Sequence, residues 1–536
     1  ITNLDWVSGA AFLINADLFK EIGGFDENFF MYFEDVDLCL RLKRLGKKIL
    51  LLSKSNVLHF GGRSSNNDLE KKRYYYESQD YYFKKHFGIF QAISIKFIRE
   101  LFLKIKNGVL ADSEEKLFFI FITLCFLIPF QFALNPAEKI DLAVIRVAVP
   151  TFFLTSLLYA IRRGVLEKLK DRTTLFILCF LALAVFSMLF SRNLQWSLRK
   201  IAFLFSIFPI YFSTLFLLTN EHRRRKTISV LVIGGLFLSL FALIQFGSQF
   251  LFGIEKIYIF LAESIIPFFL GNTFSKEVLA YPSWLVNSGG TTYMRAFAPF
   301  PDPHMLAYYV ELLFPWSIAL WATSKYHKTL FLTTSAFLIT CVIATFTRGS
   351  YLALIISSLL ILPLVSRKTA LKIIAGIFFF ILLFFAVPKN PVTNPVANRL
   401  VSSFDINEGS NQGRINIWKK ALSVVLKNPQ GVGIGSYPLI VDPGVSYRVP
   451  IYTHNAFLDI AVELGIIASV VFLLLIGTAL KAFLQAAEKD TFYLAGVASL
   501  LIFSFHSLVE NPLFSVHVLP LLLIILAISS SLRIKK

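Results

Sequence analysis

A long succession of apolar runs constrains this chain more than any other feature. From about residue 115 to the end, segments long enough to cross a hydrocarbon core of ~30 Å alternate with short basic or polar connections. About twelve are readable, near 117–134, 141–161, 174–191, 201–219, 227–247, 304–323, 329–346, 350–366, 370–387, 456–480, 491–510 and 513–532. Composition agrees. Apolar residue types make up 56% of the 536 residues and charged types only 16%, against roughly 45–50% and 25% in soluble chains. A disordered chain and an ordinary soluble enzyme are excluded, and a polytopic α-helical membrane protein is expected. Phe250 to Leu270 is also apolar but carries Glu255, Lys256 and Glu263, so it reads as re-entrant or interfacial.

The formal charge of +19 sits largely in the connections. Arg162, Arg163, Lys168, Lys170 and Arg172 share one of them, and Arg223 to Lys226 share the next but one. Lys325 and Lys328, then Arg367, Lys368 and Lys372, then Arg533, Lys535 and Lys536 continue the alternation. Positive loops stay in the cytoplasm. Both termini are therefore expected there, and the long segments 248–303 and 388–455 outside. Cys39, Cys125, Cys179 and Cys341 are far apart, with no CxxC spacing, so neither a zinc knuckle nor a disulfide framework is expected.

Before residue 115 the chain reads as mixed α/β. Asn15 or Asp17 caps a short helix, and Glu34 to Leu45 forms a second one stopped by Gly46. Lys48–Ser53 and Asn56–Phe60 suit short strands. Two helices rich in aromatic and basic residues follow, over Leu69–Phe87 and Ala92–Lys106. These side chains suit a bilayer interface, and both helices are expected on the cytoplasmic membrane face, with a soluble helical hairpin as the alternative.

Polar residues at the outer ends of apolar spans are costly and therefore informative. Arg295 precedes Pro299, Pro301 and Pro303; Arg348 lies in Thr347-Arg348-Gly349-Ser350; Arg414 lies in Gly413-Arg414-Ile415-Asn416. His454 and Asn455 open a span, with Asp459 and Glu463 on the same helical stripe. His304, Tyr308 and Glu311 form a similar stripe, and Glu510 and Asn511 mark one more outer end. Taken singly, an arginine there also fits a snorkelling or salt-bridging role, and His454 a structural hydrogen bond. As a set they suit an anion rich in phosphate oxygens. An imidazole beside such a site can accept a proton from an attacking hydroxyl.

Thr347-Arg348-Gly349-Ser350, Gly413-Arg414 with Trp418, the glycines 431, 433 and 435, and His454-Asn455 with Leu458, Glu463 and Gly465 resemble the O-antigen ligase (Wzy_C) family. The resemblance implies a GT-C-like membrane domain over 116–536, with a periplasmic loop at 388–455. It implies transfer of glycan from undecaprenyl diphosphate to an acceptor hydroxyl, without a metal or other cofactor. His454 would be the base, Arg348, Arg414 and Arg295 would hold the diphosphate, and Asn455 and Glu463 would support them. A polysaccharide polymerase, which differs in its acceptor, is the alternative. A lipid-linked sugar transporter or flippase is the alternative of another class; it calls for charges at the bilayer midplane, whereas here they gather at outer ends.

Trp6 to Ala11, Gly24-Phe25-Asp26-Glu27 and Phe29 to Leu38 form a second dense pattern. Glu34, Asp35 and Asp37 either favour a helix N-terminus or include a base for a sugar hydroxyl. Over about residues 1–90 the pattern resembles the C-terminal part of family-2, rhamnosyltransferase-like glycosyltransferases, which are α/β proteins of the GT-A type. The resemblance implies Asp35 as base with Glu34 beside it. His59, before Gly61-Gly62, would ligate a divalent Mg or Mn ion in a complete domain. The nucleotide-binding half of such a domain is expected to precede Ile1, so the chain is read as a truncated transferase fragment at 1–90, an amphipathic linker at 91–115 and the ligase-like domain. The expected partners are an undecaprenyl-diphosphate-linked glycan, a lipid or glycan acceptor and the bacterial inner membrane, with no nucleic acid.

Overall fold

The computed structural model describes residues 2–51, 57, 68–106, 114–137, 140–280, 283–288, 290–386, 397–399, 401, 409–445, 447 and 451–533. The chain divides into two compact units, Ile1–Asn107 and Gly108–Lys536.

In the first unit, Thr2–Leu4 pairs antiparallel with Ile49–Leu51. Asn15 accepts the Leu18 N–H at 3.0 Å and caps the helix Ala16–Glu21. The helix Glu34–Arg44 follows, then two longer ones at Asp68–Phe87 and Ile89–Lys106. The expected strand at 56–60 lies mostly outside the described residues.

The second unit is mostly helical. Among its described residues six helices are long and apolar enough to cross a membrane: Ile145–Arg163, Arg172–Phe190, Leu194–Leu217, Glu221–Phe252, Pro303–Thr323 and Ile466–Ala487. Four shorter apolar helices accompany them, at Lys328–Ala344, Arg348–Leu364, Thr491–His506 and Val518–Ser531. Asp171, Asn193, Asn220 and Asp302 cap four of these helices through their side chains. Every residue of Val518–Ser531 is buried. An all-round apolar helix belongs in the centre of such a bundle.

The arginine run at 223–225 is more than a marker of a basic connection. Arg223 pairs with Glu114 and Glu115, and Arg225 with Glu221 and Asp490. These pairs tie the start of the Glu221–Phe252 helix to the Glu114–Leu127 helix and to the turn before Thr491.

Two segments carry more structure than the sequence suggests. After Gly253 the apolar stretch forms a continuous helical run, Ile254–Phe260, a π segment at Leu261–Ile265, and Ile266–Leu270. At 1.5 Å per residue the whole run rises only about 25 Å, short of a hydrocarbon core of ~30 Å. The run packs instead against Trp284, Met294 and Phe297 of the following hairpin segment.

The stretch 388–455, read from sequence as a loop, contains the helix Gly409–Lys427. Ala421 and Val425 of that helix join Val432, Tyr437 and Val462 in a small core. Such tertiary burial stabilises a helix whose sequence carries little helical signal of its own. The return path requires glycine. Gly433 has a φ of +92°, and a Cβ there would come within 2.6 Å of the Ser191 backbone.

Candidate functional site

The second unit gathers cations at one end of its bundle. Arg295, His304, Phe346, Arg348, Gly349, Arg399, Arg414, His506 and Val509 line an open cavity. Three of the arginines are those singled out in the sequence. Arg399 was not. The criterion that flagged Arg414, a basic residue in a segment expected outside, applies to Arg399 as well.

Each arginine reaches the cavity by a different route. Arg348 is the first residue of the Arg348–Ile361 helix and is buried. His304 likewise stands in the first turn of Pro303–Thr323, whose N-cap Asp302 accepts the His304 and Met305 N–H groups at 2.8 and 3.0 Å. Two helix N-termini with their positive dipole ends therefore meet here. Arg414 rides on the Gly409–Lys427 helix, and Trp418 one turn later donates its indole N–H to Thr453 O at 2.8 Å. That bond ties Arg414's helix to the residue before His454.

Arg295 is used differently. Its Nε donates to Thr345 O at 2.7 Å, and its Nη groups donate to Ser283 O and Thr347 Oγ1, both at 3.1 Å. Much of its fork braces the turn that presents Arg348. Burial, reinforced by the charge of Arg399, pulls its guanidinium down to about 10. The cavity brings four arginines together, and a concentration of positive charge favours an anion.

His454 stands beside this cavity with a φ of +52°, unusual for a residue with a side chain. Its Nδ1 lies 3.1 and 3.3 Å from the two carboxylate oxygens of Glu510. Glu510 also approaches His304, at 3.9 Å. With the proton assigned to Nδ1, the imidazole donates to Glu510 and keeps its Nε2 lone pair for a substrate. The hydrogen bond to Glu510 raises the His454 pKa above 6.5, although burial opposes it. Burial pushes Glu510 upward, yet the His454 bond and the charges of His304, His454 and Arg414 hold it well below the usual carboxylate range.

The neighbouring polar residues fix this geometry. Asn455 Oδ1 accepts the Leu458 N–H at 3.0 Å and caps the Ala456–Leu464 helix. Asp459 accepts from Thr453 N at 2.9 Å and from Asn511 Nδ2 at 2.7 Å. Glu463 faces elsewhere, gripping Lys200 at 2.8 and 2.9 Å.

Sequence reasoning named Glu510 only as a span end, because its pairing with a residue 56 positions away is tertiary. His506 passed unnoticed beside an apolar run. It too reaches the cavity, with Nδ1 2.6 Å from Glu311.

In the first unit, Asp35 accepts the Gly9 N–H and the Val36 N–H, each at 2.8 Å. Glu34 follows two left-handed residues, Tyr32 and Phe33. Its Oε2 is buried without a hydrogen-bond partner among the described residues. Asp37 is fully buried and accepts from Arg41 Nε at 2.8 Å and Lys85 Nζ at 2.6 Å, while His86 Nε2 lies at 2.6 Å. These contacts link the helix Glu34–Arg44 to Asp68–Phe87. Burial pushes the Asp37 carboxyl upward, yet the bonds from His86 and Lys85 and the charge and bond of Arg41 together hold it below its ordinary value. His59 lies outside the described residues. Among those described, no group of three or more His, Cys, Asp or Glu is placed to hold a metal ion.

The cavity, its arginines and the His454–Glu510 pair coincide in part with one family match. Residues 333–473 match the O-antigen ligase family, Wzy_C. Arg348, Arg399, Arg414 and His454 all fall inside the O-antigen ligase segment, whereas Arg295, His304, His506 and Glu510 are supplied by flanking helices and loops.

The N-terminal part is similar to rhamnosyltransferases. It is 35% identical over 89 residues to the N-acetylglucosaminyl-diphospho-decaprenol L-rhamnosyltransferase of Mycobacterium tuberculosis, covering 16% of this chain and 29% of that protein. It is 37% identical over 59 residues to the rhamnosyltransferase WbbL of Escherichia coli K12, covering 11% of this chain and 22% of that protein. The chain therefore spans less than a third of the length of these relatives. Both likenesses support a glycosyl-transfer enzyme, here with several apolar helices long enough to cross a membrane.

Proposed function

We propose that the second unit transfers glycan from undecaprenyl diphosphate to an acceptor hydroxyl at the periplasmic face of the bacterial inner membrane, with both chain ends in the cytoplasm. The convergence of Arg295, Arg348, Arg399 and Arg414 on one cavity beside His454 carries this reading. The diphosphate lies among the guanidinium groups, whose forks match phosphate oxygens. The acceptor O–H gives its proton to His454 Nε2 while its oxygen bonds to the anomeric carbon. The bond from that carbon to the phosphate oxygen breaks, and its electron pair leaves with the diphosphate. Arginines stabilise the charge that develops there. Attack from the face opposite the leaving group inverts the anomeric centre. No metal takes part in this scheme.

For the first unit, the likeness to rhamnosyltransferases supports a sugar transferase activity of a complete domain. Asp35 would then serve as base, with Glu34 beside it. The divalent ion that the family resemblance implies enters no step here.

Transfer by the purified chain, reconstituted with undecaprenyl-diphosphate glycan and candidate acceptors, tests the proposal. H454A and R414A are expected to lose transfer while inserting into the membrane normally. Transfer retained by both overturns it.

A further inference from the structure

A second cavity opens at the other end of the bundle from His454, between the helices Arg172–Phe190 and Ile466–Ala487. The second of these begins directly after Gly465, beside the segment that carries His454, and reaches Lys481 about 22 Å further along. The first ends near Ser191, against which Gly433 packs, and begins at Arg172 about 28 Å away. That separation is close to a hydrocarbon thickness. It puts the cavity in the leaflet expected to face the cytoplasm.

The lining is graded along both helices. Leu473, Leu474, Gly477 and Lys481 share one face of their helix, and Arg172 and Phe176 stand one turn apart on the other. The charged groups of both helices lie towards the same end, with Phe176, Leu473 and Leu474 deeper. Lys170 and Arg533, the latter just past Val518–Ser531, add to the charged rim. One turn below Phe176, the buried Phe180 closes against Phe472 with ring centroids 5.6 Å apart.

Gly477 keeps the groove open: a Cβ there would meet nothing within 4 Å. Glycine inside a helix is unfavourable relative to alanine, and no neighbouring atom accounts for it. An occupant of the space does.

Pairing does not account for the cations either. Asp171, the carboxylate of the cavity, accepts the Thr173 N–H at 2.9 Å and the Ser530 hydroxyl at 2.6 Å, with Arg533 Nη1 at 3.9 Å. Arg533 also donates to Thr478 O, and Lys170 lies 3.7 Å from Glu167. Arg172 and Lys481 are exposed, and among the described residues neither pairs with a carboxylate. A cation in the first turn of a helix also opposes the helix dipole, so Arg172 does not stabilise its own helix.

We propose that this groove binds one anionic glycerophospholipid, with its phosphate between Arg172 and Lys481 and an acyl chain running past Gly477 over Phe176, Leu473 and Leu474. Any membrane span meets acyl chains. Cations from three helices above one apolar groove distinguish this place and select a headgroup of net negative charge. The proposal does not rest on the transfer scheme.

Native mass spectrometry of the full chain, released from detergent after titration with phosphatidylglycerol, tests this. The wild type is expected to retain one lipid, in preference to phosphatidylcholine. In R172Q/K481Q the half-saturating concentration is expected to rise about thirtyfold, the effect of two basic groups at an anionic headgroup. G477L puts a side chain into the open groove and is expected to lose the lipid while keeping the lipid-free Tm of the wild type. R172Q/K481Q alters only exposed side chains, so it decides the question by itself should G477L lower the Tm. Equal retention of phosphatidylcholine, or unchanged retention in either folded variant, overturns the proposal. So does glycerol 3-phosphate held as tightly as the lipid, which would mark a free-phosphate site. A lipid-free dimer that G477L dissociates overturns it too, by making the groove an interface between two copies of the chain.

Discussion

Replacing Glu510 by glutamine perturbs the site at one pair of contacts. The carboxylate stands 3.1 and 3.3 Å from His454 Nδ1 and is 8% exposed. A glutamine fits the same space, but its amide can donate to Nδ1. The imidazole then takes the other tautomer, with its proton on Nε2 where the base is needed. Loss of a general base or of the group that orients it lowers turnover by about 10²–10⁴-fold, which is about 3–5 kcal/mol in the barrier. The diphosphate contacts are made by other residues, so donor KM is expected to stay within about threefold while kcat falls.

The pH profile gives an independent sign. Glu510 raises the His454 pKa, so wild-type transfer rises with pH through a midpoint above an ordinary imidazole's ~6.5. Without the carboxylate the charged form loses its partner, and the residual activity of E510Q has its acid limb at lower pH. Initial rates in proteoliposomes between about pH 5 and 9 read both effects. An unchanged kcat, or a limb displaced to higher pH, refutes the assignment of His454 as base and Glu510 as its orienting partner.

Three further outcomes follow from the same geometry. R399A removes one cation from the cavity; hydrogen bonds to charged groups contribute about 1.5–3 kcal/mol, so the Kd for undecaprenyl diphosphate is expected to rise about 10–100-fold in a binding titration. G349A places a methyl 2.8 Å from His506 Cδ2 and Val509 Cγ2; overpacking of this kind costs about 1–3 kcal/mol, readable as a lower Tm in detergent together with weaker donor binding. E463A leaves Lys200 without the carboxylate it holds at 2.8 and 2.9 Å, in a pair whose side chains are 13% and 7% exposed; a loss of about 3–5 kcal/mol in unfolding is expected, largely relieved in K200M/E463L.

Much of this arrangement is legible in the sequence because a membrane makes charge expensive. Arginines at the ends of apolar spans away from the basic connections stand out against the charge bias of the chain, and that contrast finds Arg295, Arg348 and Arg414. The stripe His304, Tyr308 and Glu311 is likewise visible by helical spacing, and all three side chains meet the cavity or the histidine that lines it. What escapes is pairing across the bundle. Glu510 and His506 acquire their partners only when distant helices pack, and His506 beside Leu500–Phe505 is indistinguishable in sequence from a core histidine. Arg295 and Glu463 show the converse: both are conspicuous charges, yet much of one braces a turn and the other pairs with Lys200. The helix Gly409–Lys427 hides because its burial against Val432 and Val462 is supplied by residues far along the chain.

Locating the phosphates of a bound donor tests the central claim most directly. A cryo-EM structure of the full chain with undecaprenyl diphosphate in a nanodisc is expected to place both phosphoryl groups among Arg348, Arg399 and Arg414, with His454 Nε2 facing the position of the sugar's anomeric carbon. A headgroup held elsewhere, with the arginine cavity filled only by water, would contradict it.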